Sequence, residues 1–400
     1  MFKALLKGSK YLNLGILVLV LFSAFSTSYV FGLKMMQVEG DLFVHSMLAN
    51  AYLNGTFQSS YPGYYLTFGF FSRILGLPDI HAAASSMGLF SVLTGIVVYI
   101  LSGCYLGRED FGTERVLLVL FMSFFGPLNL GGNHYYVGQG SFNTWHNPTN
   151  SSVKFLALIC FYLFVYIYEI NNNDHVAVGG RKFTRTQLYL LLVAFTCCSL
   201  VFKPSFFQVF APTLVIIYGV DFLTGKRTFG SCIKDAVLFL PALAIILYQM
   251  YVNFLSSDSS GGIAICFAQG WSFHSDNIFR SIMTFAIFPI FVCLACWKTA
   301  SENRMLYFAI IFYLVGIAEG LFLVESGPRI GDGNFLWGKN LAIGIIYFAA
   351  VSVFIKHIKV NLQRKSTIIT AVLGFGLLSM HFLRGVVYIV RCISASVQYY

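Results

Sequence analysis

Long apolar runs separated by short polar breaks set the pattern of this chain. The runs cover Leu12–Leu33, His81–Leu106, Val116–Leu130, Ser152–Ile170, Leu188–Phe202, Ser205–Leu223, Ala236–Leu255, Ile278–Trp297, Met305–Val324, Leu341–Ile355 and Thr367–Val390. A spanning helix needs roughly 20 mostly apolar residues, so the pattern predicts an all-α polytopic membrane protein with about 11 transmembrane helices. The first run is too long for a signal-peptide core and reads as an uncleaved span. Four breaks are longer or denser than plain connections: residues 34–80, 131–151, 256–277 and 325–340. The first of them holds two amphipathic stretches too short to span, Asp41–Leu53 and Tyr64–Leu77, separated by Gly55 and Pro62. They are expected to lie in the membrane interface. No internal repeat is visible, which leaves a single integral domain over residues 1–400.

Composition agrees with the pattern. The 400 residues are 57% hydrophobic and only 10% charged, against about 45–50% and about 25% in soluble domains. A soluble enzyme and a receptor with a large ectodomain are both excluded. The formal net charge of +10 is scattered in small groups between the runs, so it marks topology and not a nucleic-acid surface. With the start of the chain inside, Lys3, Lys7, Lys10, Arg108, Arg115, Arg181, Lys182, Arg185, Lys226, Arg227, Lys234, Lys298, Arg304, Lys356, Lys359, Arg364 and Lys365 share one face. These are 17 of the 26 basic residues, as the positive-inside rule requires. The long breaks then face outward, and function is expected there. The remaining basic residues, Lys34, Arg73, Lys154, Lys203, Arg280, Arg329, Lys339, Arg384 and Arg391, fall at or near the outer face. Arg73 and Arg391 read as snorkelling side chains. Lys154, Lys203, Arg280, Arg329, His381 and Arg384 are expected to ring one membrane level, where a lipid phosphate would offset their desolvation, with Lys154, Lys203, Arg329 and Arg384 as the donor-phosphate ligands.

The candidate chemistry sits in three outer segments. In the first, Glu39 and Asp41 flank Gly40, and His45 follows Asp41 at i+4 on the same helix face. A carboxylate beside an imidazole suits a general base for a hydroxyl nucleophile, while the plainer alternative makes Asp41 a helix cap. In the second, His134, Gln139, Asn143, Trp145, His146, Asn147 and Thr149 offer the hydrogen-bonding groups and aromatic planes that a sugar needs. Pro148 is placed to start the next helix at its first position. In the fourth, Glu325, Arg329, Asp332, Asn334, Trp337 and Lys339 crowd together among glycines; Arg329 is suited to a phosphate, Asp332, Asn334 and Trp337 to a sugar. Glu39, Asp41, Asp332 and Glu325 are compatible with a divalent metal, although no spacing demands one. No phosphate-cradling glycine loop, H-E-x-x-H or dinucleotide fingerprint is present. Six of the nine cysteines lie in apolar runs, which argues against a disulfide framework.

One span, then an acidic pair, then two interfacial helices and a second span: this layout resembles the GT-C class of multi-pass glycosyltransferases. The resemblance implies a polyprenyl-phosphate-linked hexose as donor and an acidic residue of the first outer loop as catalytic base or metal ligand. Here Asp41, with Glu39 or His45 assisting, occupies that place. The implied reaction is inverting transfer to a lipid-linked O-antigen or other surface glycan at the periplasmic face of a bacterial inner membrane, with membrane lipids as surroundings and no nucleic acid. Two alternatives stand beside it. One is an O-antigen polymerase, which shares the span count and a basic outer face. The other is a transporter or flippase of a lipid-linked solute, against which the scarcity of ionisable groups deep in the runs counts.

Overall fold

The computed structural model describes residues 10–106, 112–128, 140–170, 176–178, 181–255 and 261–395. In chain order the helices are α1 (Lys10–Met36), α2 (Asp41–Leu53), α3 (Gly63–Gly69, continued by a π-helical turn Phe70–Ile74), α4 (Asp79–Leu106), α5 (Thr113–Phe124), α6 (Pro148–Glu169), α7 (Arg185–Phe202) and α8 (Ser205–Leu223). They continue with α9 (Phe229–Val237), α10 (Leu240–Met250, with a π-helical turn Tyr251–Leu255), α11 (Gln269–Ser272), α12 (Ile278–Ala295), α13 (Trp297–Ser301), α14 (Arg304–Phe322), α15 (Trp337–Asn361) and α16 (Lys365–Ala395). A short hairpin pairs β1 (Val176–Val178) with β2 (Arg181–Phe183), and the sequence-distant strands β3 (Ile263–Ile265) and β4 (Leu323–Glu325) pair antiparallel. Among the described residues nine helices are long and apolar enough to cross a membrane, and α9 with α10 forms a tenth candidate bent by 60°. The chain is an all-α polytopic membrane protein.

The eleventh expected span, Val116–Leu130, is not one helix. Helix α5 stops at Phe124 after 12 residues, about 18 Å at 1.5 Å per residue. Phe125 leaves it in an extended conformation, because Pro127 disfavours helix for Gly126 and supplies no N–H of its own. The freed backbone is paired by other spans: Gly126 N donates to His381 O (2.9 Å), His381 Nδ1 donates to Gly126 O (2.8 Å) and Leu128 N donates to Thr284 O (3.2 Å). Irregular backbone at membrane depth survives only when it is satisfied inside the protein in this way. Helix α16 comes so close that a Cβ on Gly385 would lie 1.6 Å from the Phe124 carbonyl oxygen.

Helix α15 runs through the middle of the bundle, with every residue from Trp337 to Phe354 buried. Its stretch from Leu341 to Ile355 carries no charge, so it can be packed on all sides. By contrast α16 shows exposed Ile368, Ile369, Val372, Leu373, Leu383 and Val390, the surface expected where hydrocarbon is the solvent. Basic groups collect at the end where α5 begins and α15 finishes: Lys359 pairs with Glu114, Arg115 donates to Tyr99 O, and Arg227 pairs with Asp235 at 2.7 Å and with Asp221 at 3.7 Å. The other end carries α2, α3 and the paired strands β3 and β4.

Candidate functional site

At that second end three distant segments of the chain meet. The first is the turn between α1 and α2, where Glu39 takes a left-handed conformation (φ 49°) and Gly40 occupies the N-cap. Asp41 is therefore the first helical residue and makes no capping bond, so the cap expected of it belongs to Gly40. Its carboxylate sits at the positive end of α2 and turns to the second segment, accepting 2.9 Å from Asn147 Nδ2.

Asn147 is the N-cap of α6, with Pro148 at the first helical position as expected. Its Oδ1 accepts from Asn150 N (2.9 Å), Thr149 Oγ1 (2.9 Å) and Lys203 Nζ (3.3 Å). Lys203 comes from the tight connection between α7 and α8, in extended backbone before Pro204. Its Nζ also donates to Thr149 Oγ1 (3.0 Å) and lies 4.6 Å from the centroid of the Trp337 ring. Lys203 is 7% exposed, and none of the ion pairs among the described residues includes it. Burial pushes its ammonium down to about 7; Asp41 and Glu325 oppose that, and Arg329 adds to it.

The third segment runs from β4 to the start of α15. Arg329 reaches Glu325 Oε1 (3.4 Å) and donates through Nε to Asp332 Oδ2 (3.1 Å), while Asn334 Nδ2 donates to Glu325 Oε2 (2.7 Å). Gly333 permits the left-handed turn (φ 63°) that swings Asn334 and Trp337 inward. Burial raises the Glu325 carboxyl pKa, against the Asn334 bond and Arg329. Arg329 itself is 41% exposed at its side chain and keeps N–H groups free of these two carboxylates, since a guanidinium has five.

These segments enclose a cavity of about 880 Å³, within the range of about 300–1,000 Å³ usual for small-molecule sites. Asp41, Asn147, Thr149, Lys203, Glu325 and Arg329 supply polar lining, and Val44, Leu48, Phe57, Val252 and Phe254 supply apolar lining. A strap over residues 56–62 contributes Ser60, Tyr61 and their neighbours. It is tied to the bent α9–α10 span through Ser60 Oγ and Asn253 (3.2 and 3.3 Å) and through Gln249 Nε2 to Ser60 O (3.0 Å).

Of the residues singled out from the sequence, Asp41, His45, Asn147, Thr149, Lys203, Glu325, Arg329, Asp332, Asn334 and Trp337 line this cavity. His45 lies 3.3 Å from Tyr65 OH; burial first and Lys203 second push its imidazole down to about 4, with Asp41 opposing. His146 is buried against Trp337, with ring centroids 6.0 Å apart, and is also pushed down to about 4 by burial, Asp41 opposing and Lys203 adding. Both rings are therefore neutral at pH 7.

Other expected residues lie elsewhere. Glu39 is exposed and does not line the cavity. Asn143 donates to Met122 O (3.0 Å) and Phe125 O (3.2 Å), closing the end of α5, and Trp145 stacks on Tyr388 with centroids 6.0 Å apart. Lys154 turns inward over Phe142 (5.2 Å) and Lys339 over Trp271 (4.1 Å), while Arg384 lies along α16 and does not line the cavity. The expected ring of cations thus reduces to Lys203 and Arg329 at the cavity. His134 and Gln139 lie outside the described residues. Among the described residues no three His, Cys, Asp or Glu side chains come together as a metal site. Tyr61, Ser60 and Asn253 were not singled out; the polar Asn253 inside an apolar run was the one signal for the last of them. No family model and no curated protein matches this chain.

Proposed function

We propose that this protein is an inverting glycosyltransferase of the GT-C kind, moving a hexose from a polyprenyl-phosphate donor to a lipid-linked O-antigen or other surface glycan. The observation that carries the reading is the meeting, in one cavity of about 880 Å³, of Asp41 with two cations, Lys203 and Arg329, beside apolar lining. A lipid phosphate carrying a sugar has those same three parts: an anion, a hydroxyl-rich ring and a hydrocarbon chain. Asp41 takes the proton of the acceptor hydroxyl, whose oxygen attacks the anomeric carbon from the side opposite the phosphate. The bond from that carbon to the phosphate oxygen breaks, its electron pair leaves on the phosphate, and Lys203 and Arg329 stabilise the charge that develops there. The neutral His45 is a hydrogen-bonding partner in this scheme and not a cation. With the basic end of the bundle cytoplasmic by the positive-inside rule, the cavity opens to the periplasm.

Arg329 at the cavity also favours a second reading, an O-antigen polymerase, which joins whole lipid-linked repeat units and likewise releases an anionic lipid phosphate group. Asp41→Asn in cells that hold normal amounts of folded protein tests both readings. Loss of one branch sugar from full-length surface chains supports the transferase, single-unit chains support the polymerase, and an unaltered glycan refutes both.

A further inference from the structure

Asp41 and Lys203 carry opposite charges in one partly enclosed cavity, yet they are not an ion pair. The side chain between them is Asn147, whose two ends are both engaged: Nδ2 donates to Asp41 Oδ2 at 2.9 Å and Oδ1 accepts from Lys203 Nζ at 3.3 Å. Its carbonyl end is fixed by Asn150 N and Thr149 Oγ1, both at 2.9 Å. Thr149 holds the ammonium from the other side at 3.0 Å. An amide with both ends engaged inside the protein is poorly placed to read a sugar, which is the role its residue type first suggested.

We propose that Asn147 is a positioning residue that acts as a spacer, holding the Asp41 carboxylate and the Lys203 ammonium one amide apart so that each stays available to the cavity and they do not collapse onto each other. The physical reason is that a carboxylate and an ammonium in a weakly hydrated cavity attract strongly at contact. Once paired, the carboxylate would be a poorer proton acceptor and the ammonium a poorer partner for an anion. The amide satisfies one oxygen of Asp41 and leaves the other for a ligand. This role rests on the proposed function only for its purpose; the spacing itself is tested without any sugar transfer. The charged or titratable groups that bear on Lys203 are Asp41, Glu325, Arg329, His45 and His146.

Trace acetylation with acetic anhydride, followed across pH 6–11 by peptide mass spectrometry on the full-length protein in lipid nanodiscs, reads the free-amine fraction of Lys203. Asn147→Ser keeps an oxygen able to cap α6 but is too short to reach between the two charges. The spacer role predicts that the labelling midpoint of Lys203 rises by about one pH unit in Asn147→Ser, which lowers its labelling about fivefold at pH 7 and about twofold at pH 8. The double variant Asn147→Ser with Asp41→Asn should restore labelling, since no carboxylate remains to collapse onto. Exposed Lys226, at the far end of the bundle, should label equally in all three and serves as the internal standard, while the buried Lys339 should stay equally protected in all three and so reports intact folding. Unchanged Lys203 labelling in Asn147→Ser, or a fall that persists in the double variant, overturns the proposal: a residue that merely caps α6 predicts the first result. Transfer activity is not read, so failure of the glycosyltransferase assignment would leave these outcomes interpretable.

Discussion

Replacing Lys203 with Met should make the protein more stable and, under the proposed function, unable to hold the donor phosphate. The ordinary lysine value of 10.5 falls to about 7 in the fold, so between those pH values the unfolded chain holds a proton that the folded chain sheds. Stability therefore rises with pH across that window, and the cost of the buried ammonium is fully present below pH 7. At about 1.36 kcal/mol per pH unit the cost is about 4 kcal/mol at pH 7 and about 1.4 kcal/mol at pH 9.5. Met fills a similar length of the slot beside Trp337 and gives up the bonds to Asn147 and Thr149, a loss of about 2 kcal/mol. The net expectation is a gain of about 2 kcal/mol at pH 7 that shrinks to zero or reverses at pH 9.5. Thermal unfolding in nanodiscs at the two pH values, with urea titration as a second measure, checks it. A variant less stable than wild type at pH 7, or a gain that does not shrink at pH 9.5, refutes the view that Lys203 is held at a cost. A stabilised but inactive variant is the usual mark of a residue kept for function.

At the opposite end, Arg227→Met removes the 2.7 Å partner of Asp235, which keeps Arg185 at 3.5 Å, and the 3.7 Å partner of Asp221, which keeps the Tyr168 hydroxyl, and should lower stability by about 1–3 kcal/mol; a double-mutant cycle with Asp235→Asn, read by thermal unfolding, should show a coupling of at least about 0.5 kcal/mol. Gly385→Ala should abolish folded protein, because its Cβ would meet the Phe124 carbonyl at 1.6 Å, whereas Gly376→Ala in the same helix has nothing within 4 Å and should be neutral or stabilising by up to about 1 kcal/mol. Equal yields of the two glycine variants in size-exclusion profiles would contradict the close packing of α16 on α5.

Local rules made much of this fold legible. Interfacial helix α2 begins and ends at Asp41 and Leu53 as expected, and Asn147-Pro148 starts α6 as a cap and first-turn proline should. The broken span was also written in the chain, in Gly126-Pro127, but the apolar character of the surrounding run outweighed that signal. What could not be read is side-chain direction across the membrane. Lys154 and Lys339 are buried like Lys203, yet of the three Lys203 alone lines the cavity, and which face of a helix looks inward depends on neighbours that no periodicity identifies in a chain apolar all round. The contact between Asp41 and Asn147 joins residues 106 positions apart, a distance at which only the assembled bundle specifies a partner.

The half-helix α5 has a consequence for how this protein is made. Its 12 residues are fewer than the roughly 17–25 a segment needs to span by itself, and the Gly126 and Leu128 peptide groups that follow it are paired with His381 and Thr284. Both partners are synthesised well over a hundred residues later, so the segment waits at the membrane with unsatisfied polar backbone until α12 and α16 have been inserted. Asn143, which closes the end of α5, lies four residues before Asn147. The cavity wall is therefore among the last parts of the molecule to set, and an incompletely synthesised chain would have the early spans in place without a working site.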